Sequence, residues 1–131
     1  MTNVFVYGTL MRKFRDPRSG EVITHPRSNV LACYQPVLGR IRGFRLVWPS
    51  ELNFPFIKED PSGSVKGELY QCVPDEIIRK LDEIEGVSFG LFTKKVVEVE
   101  LEDGRKVDAI VYVGGEELKK MSGWTRESLL P

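Results

Sequence analysis

The sequence predicts an α+β fold, a closed or nearly closed mixed barrel of strands with one helix packed on it. Short runs with strand character dominate the 131 residues, and only one stretch carries strong helix signals. Strands and helices do not alternate steadily, which disfavours a doubly wound parallel sheet. The length is typical of one domain, so residues 1–131 are predicted to fold as a single unit.

The composition is that of an ordinary globular protein, with 41% hydrophobic and 29% charged residues. The 19 Lys or Arg residues balance the 19 Asp or Glu residues, whereas a dedicated nucleic-acid-binding protein usually has a basic excess. No run approaches the ~18 apolar residues of a membrane span, and the N-terminus lacks the features of a signal peptide. We therefore expect a cytoplasmic protein that binds neither nucleic acid nor membrane.

The first strand is predicted at Val4–Tyr7, a continuous apolar run that Gly8 ends and that is typical of a strand buried on both faces. The next segment, Met11–Arg18, carries four basic residues and is predicted to be a polar excursion or a short helix outside the core. Its basic residues are most simply a solvated surface. The alternative is a rim that attracts an acidic ligand.

The middle of the chain predicts further strands. Residues 30–37 are apolar again, and Gly43–Trp48 is a strand that Pro49 stops. Turn-forming residues make 51–64 a predicted loop around a short apolar piece. Val65–Val73 alternates with period two, which places Glu68 on the polar face of a strand.

The main helix is predicted to begin at Pro74 and to end before Gly86, because Pro opens helices and Gly follows their last turn.

Two alternating strands, Thr93–Leu101 and Val107–Val113, are then joined by a turn that contains Gly104, which predicts a hairpin. A short helical pattern follows at 116–121.

Glu85 is the one acid that falls on the apolar face of this helix. At 100° per residue it lies within the stripe formed by Ile77, Ile78, Leu81 and Ile84. Burial and the negative end of the helix dipole would both raise the pKa of its carboxyl group, as a general base near neutral pH requires. Alternatively, the side chain turns to solvent from the last helical turn, or pairs with Lys94 or Lys95.

Tyr7, Gly8, Thr9 and Leu10 form the turn that follows the first strand. A buried strand that ends in Gly and a small hydroxyl residue exposes successive backbone N–H groups, which can make a concave anion site. The turn is therefore the predicted ligand-binding loop.

Other catalytic chemistry has few candidates in this sequence. His25 is the only histidine and has no partner at ligand spacing, so neither a metal site nor a cofactor is predicted. Neither a nucleophile elbow nor a nucleotide-binding glycine motif is present. Cys33 and Cys72 form no disulfide framework or zinc motif and are predicted to be small buried hydrophobes.

Taken together, these residues resemble the gamma-glutamylcyclotransferase-like family, also called the AIG2-like family. Four blocks carry the resemblance along most of the chain: the first strand with its Tyr-Gly-Thr-Leu turn, Gly43–Leu46 with the later Pro55, the Val-x-Gly-Glu-x-Tyr strand at 65–70, and Leu-Asp-x-x-Glu-Gly at 81–86. The resemblance implies a small mixed β-barrel with one main helix and short flanking helices.

The resemblance also implies an activity, the release of 5-oxoproline and a free amine from a γ-glutamyl substrate without a cofactor. Glu85 falls at the position of the family's proposed acid/base, and residues 7–10 fall at its substrate loop. Many members have Tyr-x-Arg after the catalytic acid, where this chain has Phe92 and Lys94. Because Lys does not replace the bidentate Arg fork, this departure leaves the substrate open.

Two other interpretations remain open. In the first, the chain is a non-catalytic domain on the same fold, with Glu85 orienting an amino-acid-like ligand. In the second, it is an interaction module that uses the basic segment Met11–Arg18 to bind nucleic acid. The leaving amine and the oligomeric state are left open by the sequence.

Overall fold

The computed structural model describes residues 1–131 and contains eight strands, one α-helix and three short 3₁₀ helices. The strands are β1 (Thr2–Val6), β2 (Phe14–Arg15), β3 (Val22–Ile23), β4 (Val37–Trp48), β5 (Phe56–Val73), β6 (Phe92–Leu101), β7 (Lys106–Gly114) and β8 (Trp124–Arg126). The α-helix is α1 (Asp75–Ile84), and the 3₁₀ helices span Pro26–Leu31, Val87–Phe89 and Leu118–Lys120.

Six strands form one mixed sheet in the order β5-β1-β7-β6-β4-β8, and β4 also pairs with β5, so that the sheet closes into a ring. The β1–β7 pair is parallel, and the other pairs in the ring are antiparallel. Strands β2 and β3 form a separate small hairpin. The predicted mixed α+β fold is thereby confirmed.

The apolar core is one cluster of 30 buried residues. Val4, Phe5 and Val6 of β1 are almost fully buried, as predicted for a strand covered on both faces. The core fixes the position of β1, and therefore of the turn that follows it.

The helix and the last hairpin agree with their sequence signals. Pro74 caps α1, and Gly86 lies beyond its last residue with a φ of +62°, a conformation that glycine adopts without strain. Strands β6 and β7 pair in antiparallel register across the turn at Gly104. No helix of the chain combines the length and the apolar character that a membrane crossing requires.

The predicted loop at 51–64 is wrong over much of its length, because β5 already begins at Phe56 and continues through this stretch. Glu59 pairs with Phe44 and Ser64 pairs with Arg42, so residues 60–63 lie opposite Gly43 alone. The turn-forming residues therefore make a bulge inside a long strand. Continuous pairing with β4 on both sides of the bulge overrides their preference for a loop.

The basic segment is more deeply anchored than predicted. Met11 and Phe14 are buried in the core, and the Phe14 ring lies 6.0 Å from the Trp48 ring. The expectation that the whole of Met11–Arg18 lies outside the core is therefore wrong. Its four basic residues are exposed, as expected of a solvated face.

Both cysteines are exposed, so the prediction that they are buried is wrong. Cys33 follows the 3₁₀ helix of Pro26–Leu31, whereas the apolar pattern had indicated strand at this point. Cys72 lies at a register shift between β1 and β5 with a φ of +57°, and its N–H donates a 3.0 Å hydrogen bond to the side chain of Asn3. The bulge turns this side chain out of the alternation that would have buried it.

Candidate functional site

A pocket opens where β1 ends, and its cavity volume is about 20 Å³. The predicted binding loop and the predicted carboxylate both line it, together with side chains from four other parts of the chain. The lining residues are Phe5, Val6, Tyr7, Gly8, Thr9, Leu10, Arg27, Phe54, Pro55, Glu85, Phe92 and Tyr112.

The loop after β1 is a tight turn in which the N–H of Met11 donates a 2.9 Å hydrogen bond to the carbonyl oxygen of Gly8. The N–H groups of Gly8, Thr9 and Leu10 donate no hydrogen bond to the protein. A side chain on residue 8 would lie 2.6 Å from Cγ of Pro55, so only glycine fits here. The turn thus leaves three successive donors at the pocket.

A buried carboxylate holds the far end of this loop. Oε1 of Glu68 accepts hydrogen bonds from the N–H of Arg12 at 2.9 Å and from the Tyr70 hydroxyl at 3.1 Å. Glu68 is only 7% exposed. Period-two alternation placed Glu68 on the polar face of its strand, and in this closed sheet the loop after β1 covers that face.

Glu85 is the C-cap residue of α1 and is 7% exposed, on the same side of the helix as the buried Ile78 and Leu81. Its predicted burial is therefore confirmed. Lys94 pairs instead with Asp82 at 2.9 Å, and Lys95 pairs with Glu59, so neither alternative lysine partner is taken up. The carboxylate has no hydrogen-bond partner in the protein, which leaves its oxygens free for a ligand in the pocket.

Burial raises the pKa of Glu85 to about 7, because removal from water disfavours the charged form, and the positive charge of Arg27 opposes this rise. A carboxyl group with this pKa exchanges protons readily near neutral pH. The site therefore combines a proton carrier with a row of amide donors.

Two tyrosines, Tyr7 and Tyr112, line the pocket. The Tyr7 hydroxyl donates a 2.7 Å hydrogen bond to the carbonyl oxygen of Tyr112, and the Tyr112 hydroxyl donates a 2.8 Å bond to Oδ1 of Asp82. Burial, and secondarily the negative charge of Glu85, raises the pKa of Tyr7 well above its ordinary value. Tyr7 therefore remains a neutral hydrogen-bond donor. Sequence reasoning missed Tyr112, which lies on a strand with an ordinary alternating pattern.

Arg27 is the only cationic side chain of the pocket lining, and sequence reasoning missed it too. Its guanidinium lies 5.5 Å from the centre of the Phe54 ring, and that ring packs 5.9 Å from Phe92. The structure gives the guanidinium no hydrogen-bond or ion-pair partner. The only local sequence signal near Arg27 is His25-Pro26, which marks the start of the 3₁₀ helix. The side chain of His25 accepts a 3.1 Å hydrogen bond from the N–H of Arg27.

Phe92 and Lys94, the two departures from the family's Tyr-x-Arg pattern, differ in their relation to the pocket. Phe92 is buried and lines the pocket, whereas Lys94 is on the surface and pairs with Asp82. The chain has no group of three or more His, Cys, Asp or Glu side chains that could hold a metal ion.

Comparison with known proteins gives consistent matches. The family model described as gamma-glutamyl cyclotransferase, AIG2-like, matches residues 4–127. The Arabidopsis thaliana protein named Protein AIG2 C is 26% identical over 125 residues, which cover 95% of this chain and 70% of that protein.

Solved structures share the fold. A crystal structure of an AIG2-like protein from Mus musculus matches with a TM-score of 0.70 and 24% identity, over 98% of this chain and 87% of that one. A solution structure of an Arabidopsis thaliana protein matches with a TM-score of 0.65 and 26% identity over 86% of this chain. The match spans 61% of the length of the Arabidopsis chain.

Proposed function

The chain belongs to the AIG2-like gamma-glutamyl cyclotransferase family, and we propose that it is a cyclotransferase that releases 5-oxoproline and a free amine from a γ-glutamyl substrate. The observation that carries the proposal is the buried, unpartnered carboxylate of Glu85 in the same pocket as the three free N–H groups of Gly8, Thr9 and Leu10. We place the reaction in the cytoplasm.

The substrate supplies its own nucleophile. Its α-nitrogen attacks its γ-carbonyl carbon, the new C–N bond closes a five-membered ring, and the C–N bond to the leaving amine breaks. An ammonium group enters and an ammonium group leaves, so two protons pass from the α-nitrogen to the departing nitrogen. Glu85 carries them as general base and then as general acid. No cofactor is needed for this chemistry.

The protein contributes mainly orientation and electrostatics. A substrate held in a ring-closing shape gains about 7–11 kcal/mol from good intramolecular orientation. The free N–H groups of the loop hold the substrate carboxylate or stabilise the oxyanion that develops on the γ-carbonyl oxygen. The apolar wall of Phe5, Phe92 and Pro55 excludes water and strengthens both interactions.

The proposal is tested by release of 5-oxoproline from a panel of γ-glutamyl dipeptides, glutathione and γ-glutamyl-ε-lysine. We expect turnover of at least one substrate, and Glu85→Gln to abolish it because the amide cannot carry the proton. Glu83→Gln is the matched control, since Glu83 is exposed on the same helix. Absence of turnover for the whole panel, or turnover that Glu85→Gln does not reduce, would contradict the proposal.

A second candidate is a non-catalytic domain that binds an amino-acid-like ligand in the same pocket. Phe92 favours it, because this residue contributes no hydroxyl to a site where the family pattern has a tyrosine. Thermal stabilisation by glutamate derivatives, with no product formed, would support this function.

The interaction-module alternative has less support, because most of the basic segment binds the protein itself. Arg12 donates to the carbonyl oxygen of Tyr34 at 2.9 Å, and Arg15 donates to that of Gly20 at 2.7 Å. Arg18 stacks over the ring of Trp48 at 4.8 Å. Salt-sensitive binding of nucleic acid that is lost on charge reversal in this segment would revive it.

A further inference from the structure

We propose that Arg27 determines substrate specificity by binding a carboxylate on the leaving amine. This inference rests on the proposed function, and it concerns the end of the substrate that the reaction releases. It starts from a guanidinium that lines the pocket without a partner.

The guanidinium is held in place by apolar packing, with its hydrogen-bonding edge free. It lies over the ring of Phe54, which packs on the buried Phe92. The backbone beneath it is fixed because the side chain of His25 caps the 3₁₀ helix, and this helix packs against α1. A guanidinium held over an aromatic ring keeps its N–H groups available for a carboxylate, which it binds in bidentate geometry.

The two charged groups of the pocket differ in depth. Glu85 and the loop residues Tyr7, Thr9 and Leu10 are buried, whereas Arg27 and Phe54 are half-buried. The buried groups therefore take the γ-glutamyl end, where the ring closes and protons move. The departing amine extends toward the rim, where Arg27 is the only cation of the lining.

This division also assigns the loop amides to the γ-glutamyl part of the substrate. Because Arg27 neutralises the carboxylate of the leaving amine, the N–H groups of residues 8–10 are left for the γ-glutamyl part. A leaving amine without a carboxylate would leave the guanidinium unpaired.

The test compares γ-glutamyl-alanine with γ-glutamyl-ethylamide, which differ only by the carboxylate of the leaving amine. We expect the wild-type protein to favour γ-glutamyl-alanine in kcat/KM by about tenfold or more, the range of a partly exposed charge-assisted bidentate pair. Arg27→Met should remove most of this preference, chiefly through KM, and Arg27→Lys should retain part of it. Arg79→Met, which removes an exposed arginine of α1, should leave the preference unchanged.

Equal activity of the wild-type protein on both substrates would overturn the proposal. So would an equal loss on both in Arg27→Met, because Arg27 would then bind a group that the substrates share. Calorimetric titration of both compounds into Glu85→Gln separates this proposal from the proposed function. A preference for γ-glutamyl-alanine that Arg27→Met abolishes in that background supports the role of Arg27 even if no turnover occurs. Equal affinities in that background overturn it.

Discussion

Oε1 of Glu68 accepts a 2.9 Å hydrogen bond from the N–H of Arg12, two residues beyond the end of the pocket loop. The same oxygen accepts the Tyr70 hydroxyl. A carboxylate buried between β5 and the loop thus holds the loop from its C-terminal side, while β1 holds it from the other.

Removal of this carboxylate should destabilise the fold and loosen the loop. We expect Glu68→Ala to lower the free energy of unfolding by about 1–3 kcal/mol, because a part-buried N–H and a buried hydroxyl lose their acceptor. Urea denaturation measures the change. Glu98→Ala, at an exposed position of β6, is the matched control and should stay within about 0.5 kcal/mol of the wild type. An equal effect of the two variants would contradict the anchoring role.

The fit of Gly8 against Pro55 predicts a compensating pair. Gly8→Ala would bring a methyl group to 2.6 Å from Cγ of Pro55, so we expect it to destabilise the protein by about 1–3 kcal/mol and to displace the loop amides. Pro55→Ala removes the clashing atom, so the double variant should regain part of the stability and of the ligand affinity. A double variant with strictly additive losses would place the strain elsewhere.

Glu85 should make stability depend on pH. Its pKa is about 7 in the folded protein against an ordinary value of 4.5, so the folded state binds the proton more tightly than the unfolded state. The protonated Glu85 side chain therefore stabilises the folded state. This contribution to the free energy of unfolding is complete below about pH 4.5, and up to about 3 kcal/mol of it is lost as the pH rises through about 7. Denaturation of the wild type and of Glu85→Gln at pH 5 and pH 8 measures it. As the pH rises, the free energy of unfolding of Glu85→Gln should increase relative to that of the wild type. A difference between the two proteins that does not change with pH would contradict the raised pKa of Glu85.

The same ionisation should control catalysis with the opposite sign. The reaction needs Glu85 as a base, so kcat/KM for a γ-glutamyl dipeptide should rise about tenfold per pH unit below its pKa and level off above about pH 7. The profile in buffers of constant ionic strength measures this. Full activity retained at pH 5 would show that another group takes the proton.

Several elements of this fold were predictable because their signals are local. The position of Glu85 in the apolar stripe of α1 follows from helix geometry alone, and Pro74 and Gly86 mark the ends of that helix wherever it packs. The apolar run of β1 likewise indicated a strand covered on both faces. These features depend little on the rest of the chain.

The errors and omissions have a common physical origin, since they arise where distant segments meet. Period-two alternation placed Glu68 on a polar face, but in the closed sheet the chain after β1 covers that face. Cys72 lies in a bulge that inverts its side chain, and a bulge does not interrupt the sequence pattern. Arg27 reaches the pocket from a 3₁₀ helix with no periodicity to reveal its direction. Its contact with Phe54 is long-range and could not be inferred from local spacing.

Proton exchange at Glu85 near neutral pH is the property on which the proposed chemistry depends. The direct measurement is an NMR titration of the side-chain carboxyl carbon of Glu85, assigned by its absence in Glu85→Gln. We predict a midpoint near pH 7. A midpoint near the ordinary value of 4.5 would contradict it, because the carboxyl group would then lie in water and would not exchange protons near neutral pH.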